Sequence, residues 1–430
     1  MKLVYKTERV EFESGEEMYF VVDDKTRHPL EYPVLFAMNK LRKKGDAANT
    51  LNSKMLAIAA LYSWAKSSEI DIHERIRNKD FFNEDEIDDL SDFCLMNFKL
   101  NTSDAVTKIM ATKVISEARS RNTNKIKTIR KIDTPSVSPQ THYMKLGYIA
   151  PYLKWLSLRL LNKDAGIYRH DVQEMVELIN ECRPSRGRAD SFNPISIEKE
   201  DMEKLYSYAK VDAANNPFKS KGNDARKLKS IKVRNELIFT MLHKLGVRVG
   251  ELCGIKLKDL HLSGTDGIVN IYRRPTDKND TRKKRAQVKT EARDLPINGK
   301  LAKLINDYAT KHRLKVKNAN KSEFLFVTHE TSKTPEGSPI TMDAVRKIFN
   351  NLSKVTGIKC TPHSLRHTWN VDFSEMADKE GMSEEREMSL RRYLMGWSEN
   401  SKMPAHYAKR HTIRKANKAM LKLQNKNTSS

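Results

Sequence analysis

The stretch CRPSRGRADSFNPIS, residues 182–196, crowds proline, glycine, serine and arginine together between two long helix-patterned halves. A segment so rich in chain breakers and charge has no apolar face to bury, so a core must close on each side of it rather than across it. The chain's 430 residues suffice for two such cores. We therefore divide it into an N-terminal extension at 1–35, a helical domain at 36–183, a linker at 184–196 and a second domain at 197–430 that ends in a tail helix.

In TLNSKMLAIAALYSWAKSS, residues Leu51, Met55, Ile58, Leu61, Tyr62 and Ala65 form one apolar stripe at helical spacing, with Thr50 or Asn49 as the cap. A second helical segment is YIAPYLKWLSLRLL, 148–161. Between them SRNTNKIKTIRKIDTPSVSPQTH, 120–142, is basic and turn-rich, which predicts a loop that either lies on something negatively charged or is simply solvated. The first thirty residues contain VYKTERVEFES and MYFVVDD, whose partial alternation predicts a small hairpin. Past the boundary, ISIEKEDMEKLYSYAK opens a helical half, and KVRNELIFTMLHKL, 232–245, is a patterned helix closed by Gly246. GIVNIYRR and ARDLPI are β-like runs flanking the basic stretch TDKNDTRKKRAQVKTE. The expected fold class is mainly α with a small antiparallel β-sheet in the C-terminal domain.

Lys and Arg outnumber Asp and Glu by 79 to 55, a formal charge of +24, which favours a polyanionic partner: nucleic acid first, an anionic membrane second. No run of about 18 apolar residues is present, and MKLVYKTERVEFE lacks the apolar core of a signal peptide, so we expect a cytoplasmic protein without a membrane partner. Cys94, Cys182, Cys253 and Cys360 are scattered without a CxxC pair, which argues against a zinc site or a disulfide framework and for reduced, mostly buried thiols. The basic run after GIVNIY supplies candidate phosphate contacts in Arg273, Arg274, Lys278, Arg282, Lys283, Lys284 and Arg285.

Phosphoryl transfer without a metal needs fixed positive groups around the non-bridging oxygens, an in-line nucleophile and an acid for the leaving oxygen. In LGVRVGEL, Arg248 follows Gly246 at a helix end, where its guanidinium can fork onto two phosphate oxygens, and Glu251 can hold it in place. In VKTEARDLPI, Lys289 ends the basic run at the mouth of the hairpin, and a partly dehydrated lysine can give up a proton. In TPHSLRHTWN, 361–370, the spacing i, i+3, i+4 puts His363, Arg366 and His367 on one helical face. A zinc pair has that spacing too, but no glutamate stands between the histidines and no third ligand is signalled, so no metal is assigned. The plainer alternative is a pair of histidines satisfied by local hydrogen bonds.

In chain order, GVRVGEL, KTEARDLPI, HSLRHT, LMGW at 394–397 and HYAKRH at 406–411 resemble the tyrosine recombinases, the lambda-integrase-like site-specific recombinases, over about residues 190–420. The resemblance implies that Arg248 and Arg366 clamp the scissile phosphate, His363 assists proton transfer, Lys289 protonates the leaving 5′ oxygen and Tyr407 is the nucleophile. Trp397 stands where the family usually has histidine; its indole N–H can still donate one hydrogen bond, but it has no acid–base capacity. The interval from Arg366 to Tyr407 is longer than the family's, with an acidic excess in SEMADKEGMSEEREM, 374–388, and Tyr393 in LRRYLMGW is a rival nucleophile that a packed helix would occupy instead. The resemblance further implies a two-domain clamp on double-stranded DNA with inverted-repeat core sites, a homo-tetramer in which the tail TIRKANKAMLKLQ, 412–424, docks into a neighbour, accessory DNA-bending proteins, and a 3′-phosphotyrosyl intermediate that needs no cofactor. Two other functions use the same scaffold: relaxation of supercoils in the manner of a type IB topoisomerase, and a catalytically silent DNA-binding regulator.

Overall fold

Small and large apolar side chains alternate so densely in Ala48–Ser67 that this helix becomes the centre of the first core: from Ala57 to Ala65 every side chain is buried. The computed structural model describes residues 3–97, 136–184, 196–220, 224–263, 265–274, 277, 279–282, 285, 290–330 and 334–427. The chain divides into two units, Met1–Ala189 and Asp190–Ser430.

In the first unit, strands β1 (Tyr5–Glu11) and β2 (Glu17–Asp23) pair antiparallel from Tyr5↔Asp23 to Glu11↔Glu17. They are followed by α1 (Glu31–Phe36), α2 (Ala48–Ser67), α3 (Ile72–Arg77), α4 (Glu84–Leu95), α5 (Pro139–Leu161) and α6 (Arg169–Glu181). The hairpin is not an appendage. Met18 and Val21 are buried in the same core as α2, and the Tyr5 N–H donates to Ser63 Oγ at 3.2 Å. Helix α2 starts earlier than expected, with Ala47 at the N-cap and no side-chain cap, which leaves Asn49 and Thr50 inside the first turn. Helix α5 also starts early. Ser138 Oγ accepts from the Thr141 N–H at 3.2 Å and Pro139 takes the first helical position, where its missing N–H costs nothing. Residues 139–142 are thus helical rather than looped, and residues 120–135 of the expected loop lie outside the described residues.

The second unit packs α7 (Lys199–Ala209), α8 (Ala225–Leu245), α9 (Val249–Gly254), a sheet of β3 (Leu260–Leu262), β4 (Asp266–Ile271) and β5 (Arg293–Asn298), then α10 (Gly299–Asp307), α11 (Met342–Thr356), α12 (Pro362–Lys379), α13 (Glu384–Met395) and α14 (Met403–Asn427). The sheet order is β3-β4-β5, antiparallel throughout, with Val269 opposite Leu295. Val269, Ile271, Leu295 and Ile297 turn into the core of this unit, and β4 and β5 pack against α10. β3 is three residues long, too short to show a period in the sequence. The tail is not a separate helix: 412–424 continues the helix that contains Tyr407 without a break. All four cysteines are free thiols, three buried and Cys182 half-buried. Among the described residues no helix is long and apolar enough to cross a membrane.

Candidate active site

Three helix termini of the second unit meet at Gly246. This residue ends α8 in the left-handed region at φ +59°, and a Cβ there would lie 2.8 Å from the Trp369 ring and 2.9 Å from Met395. Only glycine permits both the turn and that approach. Its carbonyl, left without a helical donor, accepts from Arg366 Nη1 at 2.6 Å. Met395, at the end of α13, offers its carbonyl to Arg366 Nη2 at 3.2 Å. Thr361 caps α12 by accepting from the Ser364 N–H at 3.0 Å, and Pro362 occupies the first turn, which fixes the face on which His363, Arg366 and His367 stand. Arg366 is buried, and burial, reinforced by the nearby Arg248 charge, pushes its guanidinium down to about 9. It remains cationic at neutral pH, with hydrogen-bonding capacity beyond the two carbonyls.

Arg248 sits at the N-cap of α9. Its N–H donates to Glu251 Oε2 at 2.9 Å, while its guanidinium lies 3.5 Å from Oε1 and is more than a third exposed. Glu251 was expected to serve Arg248, yet its firmer partners are Arg293 Nη2 at 2.9 Å and the Thr290 hydroxyl. Arg293 in turn donates from Nε to the Leu394 carbonyl at 2.7 Å, linking β5 to α13. Burial works to raise the Glu251 pKa, but the charge and hydrogen bonds of Arg293, helped by Arg366 and Thr290, hold it below the ordinary carboxylate value. Arg293 escaped the sequence reading because its partner is 42 positions away. The available signal was its place at an inward position of ARDLPI, where a strand facing a core should be apolar.

Tyr407 is buried on α14. Its hydroxyl lies 2.9 Å from His367 Nδ1, and His367 Nε2 lies 2.9 Å from His363 Nε2. The tyrosine therefore meets His367, which was taken as supporting, and His367 in turn meets His363. With Tyr407 as the donor, His367 carries its proton on Nε2 and passes a hydrogen bond on to His363, which is exposed. The Trp397 indole stacks on the Tyr407 ring at 5.6 Å and 13°, and the Arg366 guanidinium carbon lies 5.7 Å from the Trp397 ring centre. Trp397 Nε1 is buried and has no hydrogen-bond partner among the described residues. A buried donor left unpaired costs about 1–3 kcal/mol, which an arriving oxygen would relieve. Tyr393 is 55% exposed on the surface of α13, not the packed side chain expected there.

Arg248, Arg273, Thr290 and Trp397 line one open cleft of about 450 Å³. Lys289, Lys278, Lys283 and Lys284 lie outside the described residues. Arg274 is forked onto Asp259 at 2.5 and 2.8 Å, and Arg285 is half-buried. Arg282, expected on the phosphate-facing surface, is instead buried against Asp280 and two backbone carbonyls, because its five donors satisfy a turn that would otherwise carry unpaired acceptors. The acidic stretch 374–388 closes α12 and opens α13; within it Glu387 is buried, accepting from Ser374 Oγ at 2.9 Å and from Arg391.

The cleft is edged by Arg248, Arg273 and Trp397, and the Trp397 ring stacks on the phenol that lies against the histidine pair. Residues 197–414, about half of the chain, match the phage integrase family, and the chain belongs to that family. It is 26% identical over 231 residues to tyrosine recombinase XerC of Halalkalibacterium halodurans, covering 53% of this chain and 65% of that one. To tyrosine recombinase XerA of Pyrococcus furiosus it is 28% identical over 144 residues, 34% of this chain and 42% of the other. The chain thus spans less than two thirds of the length of the curated relatives it matches. Among solved structures, XerH site-specific recombinase bound to palindromic difH substrate aligns with 78% of this chain and 84% of its own at 15% identity and a TM-score of 0.38; the XerA recombinase aligns with 87% and 90% at 15% identity and 0.34.

Proposed function

We propose that this protein is a site-specific DNA recombinase that cleaves and rejoins strands through a phosphotyrosyl bond at Tyr407. The observation that carries the reading is the Tyr407 hydroxyl 2.9 Å from His367 Nδ1, with Arg366 and Trp397 beside it. A phenol with a pKa near 10 is mostly protonated at neutral pH, so attack needs an acceptor for its proton and cations for the developing charge. His367 takes the proton and relays it toward His363. The phenolic oxygen bonds to phosphorus, the P–O5′ bond breaks, and the 5′ oxygen leaves with a proton from Lys289. Arg248, Arg366 and the Trp397 N–H hold the non-bridging oxygens. The phosphotyrosyl ester keeps the energy of the broken phosphodiester, so a different 5′ hydroxyl can reverse the step without ATP.

Assembly as a homo-tetramer on inverted-repeat core sites is part of the same reading. Its support lies in the end of α14, where Met420, Leu421 and Leu423 are each more than half exposed, an apolar stripe suited to a groove on a second copy. Accessory DNA-bending proteins and a cytoplasmic setting accompany this function.

The test is a nicked duplex that traps the covalent step. Wild type is expected to yield a detergent-resistant protein–DNA adduct, and to do so undiminished in excess EDTA, since arginine, lysine and indole groups supply the stabilisation. Loss of the adduct on chelation with recovery on adding a divalent ion would overturn the metal-free part. DNA binding without any adduct would favour a silent regulator, and relaxation of supercoils without strand exchange a topoisomerase. Binding should fall steeply between 50 and 200 mM salt, by about 10³-fold for six or more phosphate contacts.

A further inference from the structure

Three residues of α12, spaced three apart, each reach the last turn of α8. Arg366 Nη1 donates to the Gly246 carbonyl at 2.6 Å, the Trp369 indole N–H donates to the Lys244 carbonyl at 3.1 Å, and Asp372 Oδ2 lies 3.6 Å from His243 Nε2. The last carbonyls of a helix have no donor within the helix, so the Lys244 oxygen takes its partner from α12. Trp369 also closes on the backbone itself. A Cβ at Gly246 would stand 2.8 Å from its ring, which puts indole and glycine in direct contact. One turn along α12 the ring stacks on Phe373, at 5.2 Å and 11°, and the stack limits how far the indole can swing.

The turn held in this way leads straight into Arg248. Val247, fully buried, separates it from Gly246, and Arg248 is the N-cap of α9. The two arginines of the cleft region therefore come from different elements, and their spacing depends on the joint between the end of α8 and α12. Arg366 spans that joint with a long side chain of many rotamers. The indole has two torsions and is wedged against a glycine, which makes it the stiffer tie.

We propose that Trp369 is a positioning residue that acts through Arg248 and Arg366: by pinning the Lys244–Gly246 turn to α12, it sets the spacing of the two guanidinium groups that hold the scissile phosphate. This rests on the reading of Arg248 and Arg366 as the phosphate clamp. The single donor of Trp369 is spent on the Lys244 carbonyl, so it has none to offer the substrate.

The experiment compares adduct formation by the full chain on an ordinary nicked duplex and on one whose scissile phosphate carries methyl in place of a non-bridging oxygen. The methyl substrate has no charge at that position and draws far less from the two guanidinium groups. Trp369→Phe keeps an aromatic ring beside Gly246 and loses the N–H. It is expected to slow the ordinary substrate roughly a hundredfold, the scale of a small misplacement, and to react with the methyl substrate at nearly the wild-type rate. Equal losses on both substrates would show a merely structural role and overturn the inference, as would no loss on either. Arg248→Ala and Arg366→Ala are run beside it. If both recover on the methyl substrate and Trp369→Phe does not, the clamp stands and the positioning role falls. If either arginine variant fails to recover, the clamp reading is wrong and the inference falls with it. Should Trp369→Phe melt below the assay temperature, Trp369→3-benzothienylalanine keeps the shape of the indole with sulfur in place of the N–H, and the same ratio of methyl to ordinary rates decides.

Discussion

A Tyr407→Phe protein is expected to bind DNA as wild type does and to form no covalent adduct with a nicked duplex, a fall of at least about 10⁴-fold in cleavage. The substitution removes one oxygen from a ring that stacks on Trp397 at 5.6 Å, so packing around it survives and the loss reports chemistry rather than folding. Tyr393→Phe, on the exposed face of α13, should leave the adduct intact. The reverse pattern, an adduct from Tyr407→Phe and none from Tyr393→Phe, would mean that the wrong tyrosine has been placed at the phosphate. His367→Ala should act on the same step but leave a residue of activity, because arginine charge still favours the phenolate when the proton acceptor is gone.

Glu251→Ala is expected to lower stability by about 3–5 kcal/mol, since it leaves the Arg293 guanidinium buried without its carboxylate. For a domain of this size that corresponds to a melting point lower by roughly 6–20 °C. The effect should depend on pH in a defined direction. The folded-state pKa of Glu251 lies below its ordinary 4.5, so its contribution is fully present above that value and drains away as the pH falls through the folded-state pKa. Thermal melts of wild type and Glu251→Gln should therefore differ most near neutrality and converge in acid. A Glu251→Ala protein that melts with wild type at pH 7 would show that the Glu251–Arg293 pair is not the keystone its burial indicates.

Much of this could be read from residues alone because the signals were local. Gly246 closes a patterned helix, Pro362 opens another, and ARDLPI alternates, so each element announces its own end or period. The site was harder. The helical face shared by His363 and His367 is legible from spacing, but which ring meets the tyrosine depends on how α14 packs on α12, a contact spanning 40 positions. The same reason hid Arg293. Arg282 misled differently: in a run of lysines and arginines it reads as one more solvated charge, and only the carbonyls of Cys253 and Ile340, distant in sequence, pull it inside. Helix starts were displaced because Ala47 and Ser138 begin α2 and α5 before the apolar stripe appears.

The single helix Met403–Asn427 has a mechanical consequence. Pro404 lies in its first turn and neither proline nor glycine follows, so no hinge separates Tyr407 from Leu423, sixteen residues on. At about 1.5 Å per residue these two side chains ride about 24 Å apart on one stiff rod. Its far arm is gripped near the middle by the ion pair of Lys415 with Asp378 on α12, at 2.5 Å. A pull on the apolar tip is thus delivered as rotation or translation at the phenol, as a lever delivers it across a fulcrum. Whatever seats the tip is thus felt at the Tyr407 ring.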